Sequence, residues 1–330
     1  MKAHGTLLLN LSDVRSLLPF QEYVRVIEQA FGLHAQGKTL KTAMMHVDAA
    51  NGEFHVKAGG LKLGSPYFAV KSNAGFFRNR ERFGMPNIQG VILLCDGENG
   101  YPLAMMDSSE ITSMRTGAAA AVAAKHLARP ESATVTICGC GTQGNVQLLA
   151  IQSIFPIRTA YVFDIDKDKA ESLASASSRR LGITVVATTN LEAAVEQSDI
   201  CVTCTPSRQY YLEKKFVSPG TFIAAMGADS PDKQELDPEL LKSNKVVVDI
   251  LDQCAVAGEL HHALEKGMRK EDVYAELGEI ITGKKQGRIS KEEIVIFDAT
   301  GTALQDAAAA AAVYEQALIS GTGKRFDFFG

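Results

Sequence analysis

Apolar positions along the chain change their spacing twice. From Ser12-Asp13 to Gly37 they recur three and four residues apart, through Val24, Ile27 and Phe31, which predicts a pair of helices joined by a turn. From about 41 to 107 the pattern becomes short alternating runs, AMMHV, EFHVKAG, YFAVKSN, GVILLCD and YPLAMMD, punctuated by Gly, Pro and Asn. These predict a meander of about five or six strands, too short for a free-standing domain of conventional size. Residues 108–127 are Ala-rich and helical in pattern, carry Arg115 near the first turns, and stop at Arg129-Pro130.

The second change begins at Thr134. An apolar run, TVTIC, feeds into Gly139-Cys140-Gly141-Thr142-Gln143-Gly144, a helix-like stretch follows, and a second apolar run ends in Asp164. This is the strand, glycine turn, helix, strand and acid order of a dinucleotide-binding βαβ unit. In it Gly139 makes the tight turn, Gly141 lets backbone approach a pyrophosphate, and Gly144 lets the helix pack close. The helix N-terminus offers free N–H groups and its positive dipole end. Asp164 falls 20 residues after Gly144, where a carboxylate accepts from ribose hydroxyls. An acid there favours NAD over NADP, whose 2′-phosphate would meet like charge.

Alternation then continues to the C-terminus. Helices are predicted over 167–181, 191–197, 235–241, 253–267 and 301–320, and strands over 184–188, 199–205, 221–226, 245–250 and 293–298. That order predicts a doubly wound sheet with its ligand crevice at the carboxyl ends of the strands. Gly139, Asp164, Thr205, Gly227 and Thr300 all fall at such ends.

Composition narrows the function classes. The chain has 330 residues, 46% hydrophobic and 22% charged, with net charge −4. That gives no electrostatic case for nucleic acid or an acidic membrane. No apolar run approaches a membrane span, and the Ala runs at 118–124 and 307–312 read as helix-packing surfaces. MKAHGTLLLNLSD lacks the apolar core and cleavage site of an export signal, so the cytoplasm is the expected location. The six cysteines, including the CxxC of Cys201 and Cys204, fall in or beside strands and read as small buried thiols, without a redox pair or zinc site. His261 and His262 face two sides of a helix and read as surface or core, so no metal is expected.

Three ionisable residues outside the glycine turn have a possible chemical task. Lys71 is a lone cation in the apolar strand YFAVKSN, Arg115 lies early in a helix, and Asp229 follows a strand end in MGADSPDKQELD. Beside a nicotinamide, lysine and aspartate form an acid/base pair and arginine a carboxylate fork. Each also has an ordinary reading: a snorkelling strand lysine, a surface ion pair, and a turn former before Ser-Pro.

The stretches YFAVKSN, MPNIQGVILLCDGENGYPLAMMDSSEITSMRTGAAAAVAAKHLARP, CGCGTQG, MGADSPDKQELD, VVVDI…AGEL and FDATGTALQDAAAAAAVYEQA resemble the ornithine cyclodeaminase/mu-crystallin family, which includes archaeal-type alanine dehydrogenases and cyclic-imine reductases. The resemblance covers almost the whole chain. It implies an α/β protein: a Rossmann-type NAD-binding domain over 116–304, inserted into an α+β substrate-binding and dimerisation domain formed by 1–115 and 305–330, in a homodimer. It implies that Lys71 is the active-site lysine, that Arg115 binds the substrate carboxylate beside the cofactor, and that Asp229 is the catalytic aspartate. Cofactor contacts are implied at Asn87, Thr142, Gln143, Asp164, Thr205, Gly227, Ala228, Lys233 and Thr300. Lys41 stands where the family often has a second carboxylate-binding arginine, and pairs only as a point charge. Where cyclodeaminases carry a glutamate for the distal amino group, the strand FHVKAG offers His55 and Lys57.

The expected function is therefore reversible hydride transfer between NAD(H) and the α-carbon of a small amino acid or its imine, alanine/iminopyruvate or a pyrroline- or piperideine-2-carboxylate. One alternative is a cyclodeaminase-type lyase converting ornithine to proline and ammonia with NAD as resident redox cofactor. The other is a non-catalytic ligand binder of the mu-crystallin type.

Overall fold

In the computed structural model, which describes residues 5–76 and 78–328, the chain divides into two compact units, Met1–Arg115 with Thr302–Gly330, and Thr116–Gly301. The residues on which the export-signal expectation rests include Met1 to His4, which lie outside the described ones.

The meander forms the heart of the first unit. Strands Ala43–Ala49, Gly52–Leu63, Ser65–Gly75, Ile88–Asp96 and Pro102–Asp107 pair antiparallel in chain order. It does not stand alone, because Thr6–Leu9 adds parallel to Pro102–Asp107 and Lys324–Phe326 adds antiparallel beyond it. The result is a seven-stranded sheet closed on one side by both ends of the chain. Those two strands are too short for an alternation signal in sequence. One face of the sheet is covered by Phe20–Ala35 and by the C-terminal helix Ala303–Ser320, which packs on Gly52–Leu63 and Ser65–Gly75. This helix is buried nearly all round through Val313, as its run of alanines allows.

The second unit is an eight-stranded parallel sheet. Its spatial order is Ala275–Glu276, Lys245–Val248, Val295–Asp298, Phe222–Ala225, Ile200–Thr203, Thr134–Cys138, Thr159–Phe163 and Thr184–Ala187. The order reverses at Thr134–Cys138, whose neighbours are Thr159–Phe163 on one side and Ile200–Thr203 on the other. Central strands are buried on both faces, as continuous apolar runs require.

Two predicted helices are corrected. Residues 235–241 split into a strand, Gln234–Leu236, and a helix, Pro238–Ser243. Asp237 caps that helix by accepting from the Glu239 N–H, and Pro238 occupies its first turn, so helix cannot extend upstream. Gln234–Leu236 instead pairs with Arg208–Leu212 in a small parallel ladder. Residues 253–267 are two helices, Leu251–Ala257 and Glu259–Glu265, broken at Gly258. A side chain at 258 would stand 2.5 Å from the Asp298 carboxylate, which accepts from the Glu259 and Leu260 N–H groups at the new helix start.

Candidate active site

In the second unit the glycine turn has the geometry its sequence predicts. Gly139 has φ +102°, a conformation side chains rarely adopt. A Cβ on Gly144 would lie 1.9 Å from the Gly139 carbonyl oxygen, so only glycine permits this helix to start so close to the strand. Gly141, at the N-cap of Thr142–Gln152, faces open space. No side chain caps that helix and no acid lies in its first turn. Its N–H groups and dipole are therefore available to an anion.

Asp164 follows the next strand. One of its oxygens accepts from the Cys140 N–H (2.8 Å) and the other from the Asp166 N–H (2.9 Å), which fixes the carboxylate beside the turn. Each oxygen keeps a lone pair for a ribose hydroxyl. The Gln143 Oε1 is buried with no hydrogen-bond partner, an acceptor that a ligand hydroxyl or amide would satisfy. A dinucleotide fits this set: an open glycine at a bare helix N-terminus, a fixed carboxylate and an unsatisfied acceptor.

The other strand-end residues are tied together by a glutamate the sequence did not single out. Glu235, fully buried, accepts from the Thr205 N–H (2.6 Å), the Thr205 hydroxyl (2.7 Å), the Tyr211 hydroxyl (2.8 Å) and the Gly227 N–H (3.0 Å). Burial pushes its carboxyl up, and the bonds from Thr205 and Tyr211 only partly offset this. Glu259 in turn accepts from the Glu235 and Leu236 N–H groups, and Asp298 from the start of the Glu259–Glu265 helix. Three buried carboxylates thus hold the loops after two strands. Thr300 accepts from Gln253 (2.8 Å) beside Asp249, whose other oxygen accepts from the Gly301 N–H. Ala228 is buried, and Asp229 is ion-paired with Lys233 at 2.6 Å, so the expected catalytic acid and an expected cofactor contact hold each other.

The first unit brings together Lys71, Arg115 and two residues that were not anticipated. Within Ser65–Gly75 the inward positions are Tyr67, Ala69, Lys71, Asn73 and Gly75. Lys71 is 2% exposed, and it is not the lone cation its strand suggests. Its ammonium donates to Asp306 of the C-terminal helix at 2.8 Å and lies 2.7 Å from the second oxygen. Arg115 Nε lies 3.2 Å from the same carboxylate, and its Nη1 donates to Gln305 Oε1 at 3.0 Å. Lys57, also buried, is the cross-strand partner of Lys71. Asn73 accepts from the Ser108 hydroxyl one inward position further on.

Burial pulls the Lys71 ammonium down, Asp306 opposes that pull, and Arg115 and Lys57 add to it; the balance is about 7. Burial pushes Asp306 up, but Lys71, Arg115 and Lys57 overcome it and hold the carboxyl below its usual range. A lysine poised near neutrality in a buried polar cluster is equipped for proton transfer. Asp306 carried one sequence signal, the single charged residue in the stretch ATGTALQDAAAAAAVY.

Lys41 is exposed in the segment before Ala43–Ala49. Asn87 Oδ1 accepts from the Arg80 N–H. His55 interacts with Glu53 at 3.2 Å and stacks edge-on with His46. His261 and His262 do not diverge as expected: both lie within 4 Å of Glu265, which stands four and three residues ahead of them on the same helix. The cysteines are free and buried or half-buried. Among the described residues no helix is long and apolar enough to cross a membrane.

A parallel nucleotide sheet with a glycine turn and fixed acid, in a chain that also buries a lysine and an arginine around one carboxylate, defines a dinucleotide-dependent class of protein. The chain belongs to the ornithine cyclodeaminase/mu-crystallin family, which it matches over residues 5–321. It is 40% identical over 327 residues to an alanine dehydrogenase of Archaeoglobus fulgidus, covering 98% of this chain and 99% of the relative. The solved structure of an archaeal alanine dehydrogenase dimer with bound NAD superposes with TM-score 0.93 at 40% identity, covering 98% and 99% of the two chains. A Δ1-pyrroline-2-carboxylate reductase of Thermococcus litoralis, in complex with NADH and L-proline, gives TM-score 0.92 at 34% identity over 97% and 100%.

Proposed function

We propose that this chain is an NAD(H)-dependent oxidoreductase acting on the C=N bond of a small 2-imino acid, or on the CH–NH bond of the corresponding amino acid. The observation that carries the reading is Lys71: buried, clamped by Asp306 and set to about 7. A bound nicotinamide supplies hydride to the α-carbon, or accepts it. Arg115 holds the substrate carboxylate, with Lys41 as a second cation. Lys71 gives a proton to the substrate nitrogen in reduction and takes it back in oxidation, and Asp229 is the second acid/base. Gly139, Gly141, Thr142, Gln143 and Asp164 hold the dinucleotide, with Thr205, Gly227, Ala228, Lys233, Thr300 and Asn87 as further contacts.

Lys57 argues against the cyclodeaminase alternative, because a buried cation next to Lys71 repels the distal ammonium of a diamine. We assign a homodimer as the working assembly. It is supported by Met45, Val47 and Phe54, exposed apolar residues on one face of the edge strand Ala43–Ala49 and its neighbour Gly52–Leu63, and by the dimeric alanine dehydrogenase that the chain resembles.

The test follows NADH oxidation with pyruvate plus ammonium and with cyclic imines, alongside ammonia release from ornithine. NADH consumption is expected with an imine. Ammonia release without net NADH change would instead support the lyase. Lys71→Ala should abolish turnover while NADH binding persists, and an active variant would remove Lys71 from its assigned role.

A further inference from the structure

Among the described residues, three metal-ligating side chains bring their ligand atoms within 4.8 Å of one another in two places, and the two differ in kind. His261, His262 and Glu265 belong to one short helix, and the His262 Nε2 is already 2.9 Å from the Lys233 carbonyl oxygen. His46, Glu53 and His55 come instead from two paired strands. The register sets His46 opposite His55 and Asp48 opposite Glu53. Two imidazoles and two carboxylates therefore form a four-residue block on one face of the hairpin. No spacing motif marks this block, because its donors meet only through the pairing of the strands.

The geometry inside the block is convergent. The His46 Nε2 lies 3.1 Å from Asp48 and 3.8 Å from Glu53, and the His55 Nε2 lies 3.2 Å from Glu53. The rings meet edge to face with centroids 4.4 Å apart, so both nitrogens turn towards the same carboxylate from opposite strands. Tetrahedral zinc, about 2.0–2.1 Å from each nitrogen or oxygen, sets neighbouring donors roughly 3.3 Å apart, which these contacts straddle. Charge points the same way. Asp48 and Glu53 are like charges directly opposite each other, an arrangement that destabilises a sheet. The side chains of His55 and Glu53 are 13% and 17% exposed, so solvent screens the inner carboxylate little.

We propose that His46, Glu53 and His55 bind one zinc ion, with the exposed Asp48 as fourth ligand, and that the ion clamps the edge strand Ala43–Ala49 to Gly52–Leu63. Two neutral imidazoles and two carboxylates balance its double positive charge, and the ion stands between acids that otherwise repel. Imidazole donors select zinc over magnesium and calcium, which take oxygen ligands. The clamp acts on the outermost strand of its sheet, just after Lys41. Met45 and Val47 alternate with His46 and Asp48, so the apolar face assigned to the dimer is the opposite one. None of the four ligands has a task in the proposed oxidation or reduction, so this site and that reaction stand or fall separately.

The test uses full-length, tag-free protein freed of metal with a chelator, titrated calorimetrically with zinc chloride and melted with and without it. We expect one zinc per chain and a Tm that rises with zinc concentration. His46→Ala, His55→Ala and Glu53→Gln should each weaken binding by at least roughly 10-fold, the least that disturbing a metal's surroundings costs, and abolish the rise in Tm. His261→Ala should bind as wild type does, and magnesium or calcium in excess should not compete. No saturable binding in the millimolar range, full affinity in the His46 and His55 variants, or loss of binding in His261→Ala overturns the proposal. If a ligand variant does not fold, cobalt(II) on the wild-type protein decides. Intense visible bands of a four-coordinate ion support the site, and the weak spectrum of the hydrated ion refutes it.

Discussion

Replacing Asp306 by asparagine keeps the shape of the side chain and removes the one carboxylate that Lys71 and Arg115 share. Both contacts are close, 2.7 Å from Lys71 Nζ and 3.2 Å from Arg115 Nε, and all three residues are buried. With charge centres about 4 Å apart and an effective dielectric of about 20, each attraction is worth roughly 4 kcal/mol before desolvation. Burying the carboxylate costs several kcal/mol in return, so the net loss on breaking the cluster is about 3–5 kcal/mol. At about 2–4 °C per kcal/mol for a unit of this size, Tm should fall by roughly 6–20 °C. The same change acts on Lys71. Losing roughly 4 kcal/mol of attraction lowers the ammonium by up to ~3 pH units from its position near 7. The sign is fixed by the folded value lying below the unfolded 10.5: protonating Lys71 opposes folding, fully below pH 7, and the cost disappears as pH rises from 7 towards 10.5. For wild type, oxidation rises through about pH 7 as Lys71 becomes a free base, and reduction falls over the same interval. In Asp306→Asn that inflection should leave the neutral range. Thermal melts and kcat/KM profiles from pH 5 to 9 in both directions read both effects. A variant that melts within about 2 °C of wild type and keeps an inflection near 7 would refute the argument that Asp306 sets this lysine.

Other consequences are simpler to read. Asp164→Ser should relax the cofactor preference towards NADP, seen as a rise in the ratio of kcat/KM for NADPH over NADH; an unchanged ratio would deny the acid its part in choosing the cofactor. Glu235→Gln should weaken NADH binding, measured by fluorescence titration, since an amide cannot accept from both the Thr205 and Gly227 N–H groups, and one orphaned donor costs about 1–3 kcal/mol. Asp298 is raised by burial to about 7, above its unfolded value, so its ionisation opposes folding at high pH and that opposition is relieved as pH falls from 7 towards 4. Asp298→Asn should flatten that part of the stability profile, and chemical denaturation at pH 5 and 8 would reveal it. Gly144→Ala should prevent native packing of the turn, because the added methyl has only 1.9 Å to the Gly139 carbonyl oxygen; full wild-type stability and NADH affinity in that variant would contradict the close approach.

The sequence by itself determined the glycine turn of the nucleotide unit and its alternation of strands and helices, though not the breaks at Asp237 and Gly258. Strand, turn and acid there lie within about thirty residues, and the requirement for glycine at Gly139 and Gly144 is a local steric fact. Lys71, Arg115 and Asp229 were also legible, as ionisable residues in unusual settings. Only the tertiary structure decided what surrounds them. YFAVKSN is apolar on both faces, so alternation cannot say that Lys71 points inward with Tyr67 and Ala69, beneath a helix 235 residues further along the chain. Lys57 and Asp306 lie beside Lys71, and Gln305 beside Arg115, because strand register and helix docking bring them together, and Glu235 and Asp298 matter because loops distant in sequence need their N–H groups satisfied. Local sterics and periodicity are written along the chain, whereas the partner of a buried charge is set by whatever the fold places within a few ångströms of it.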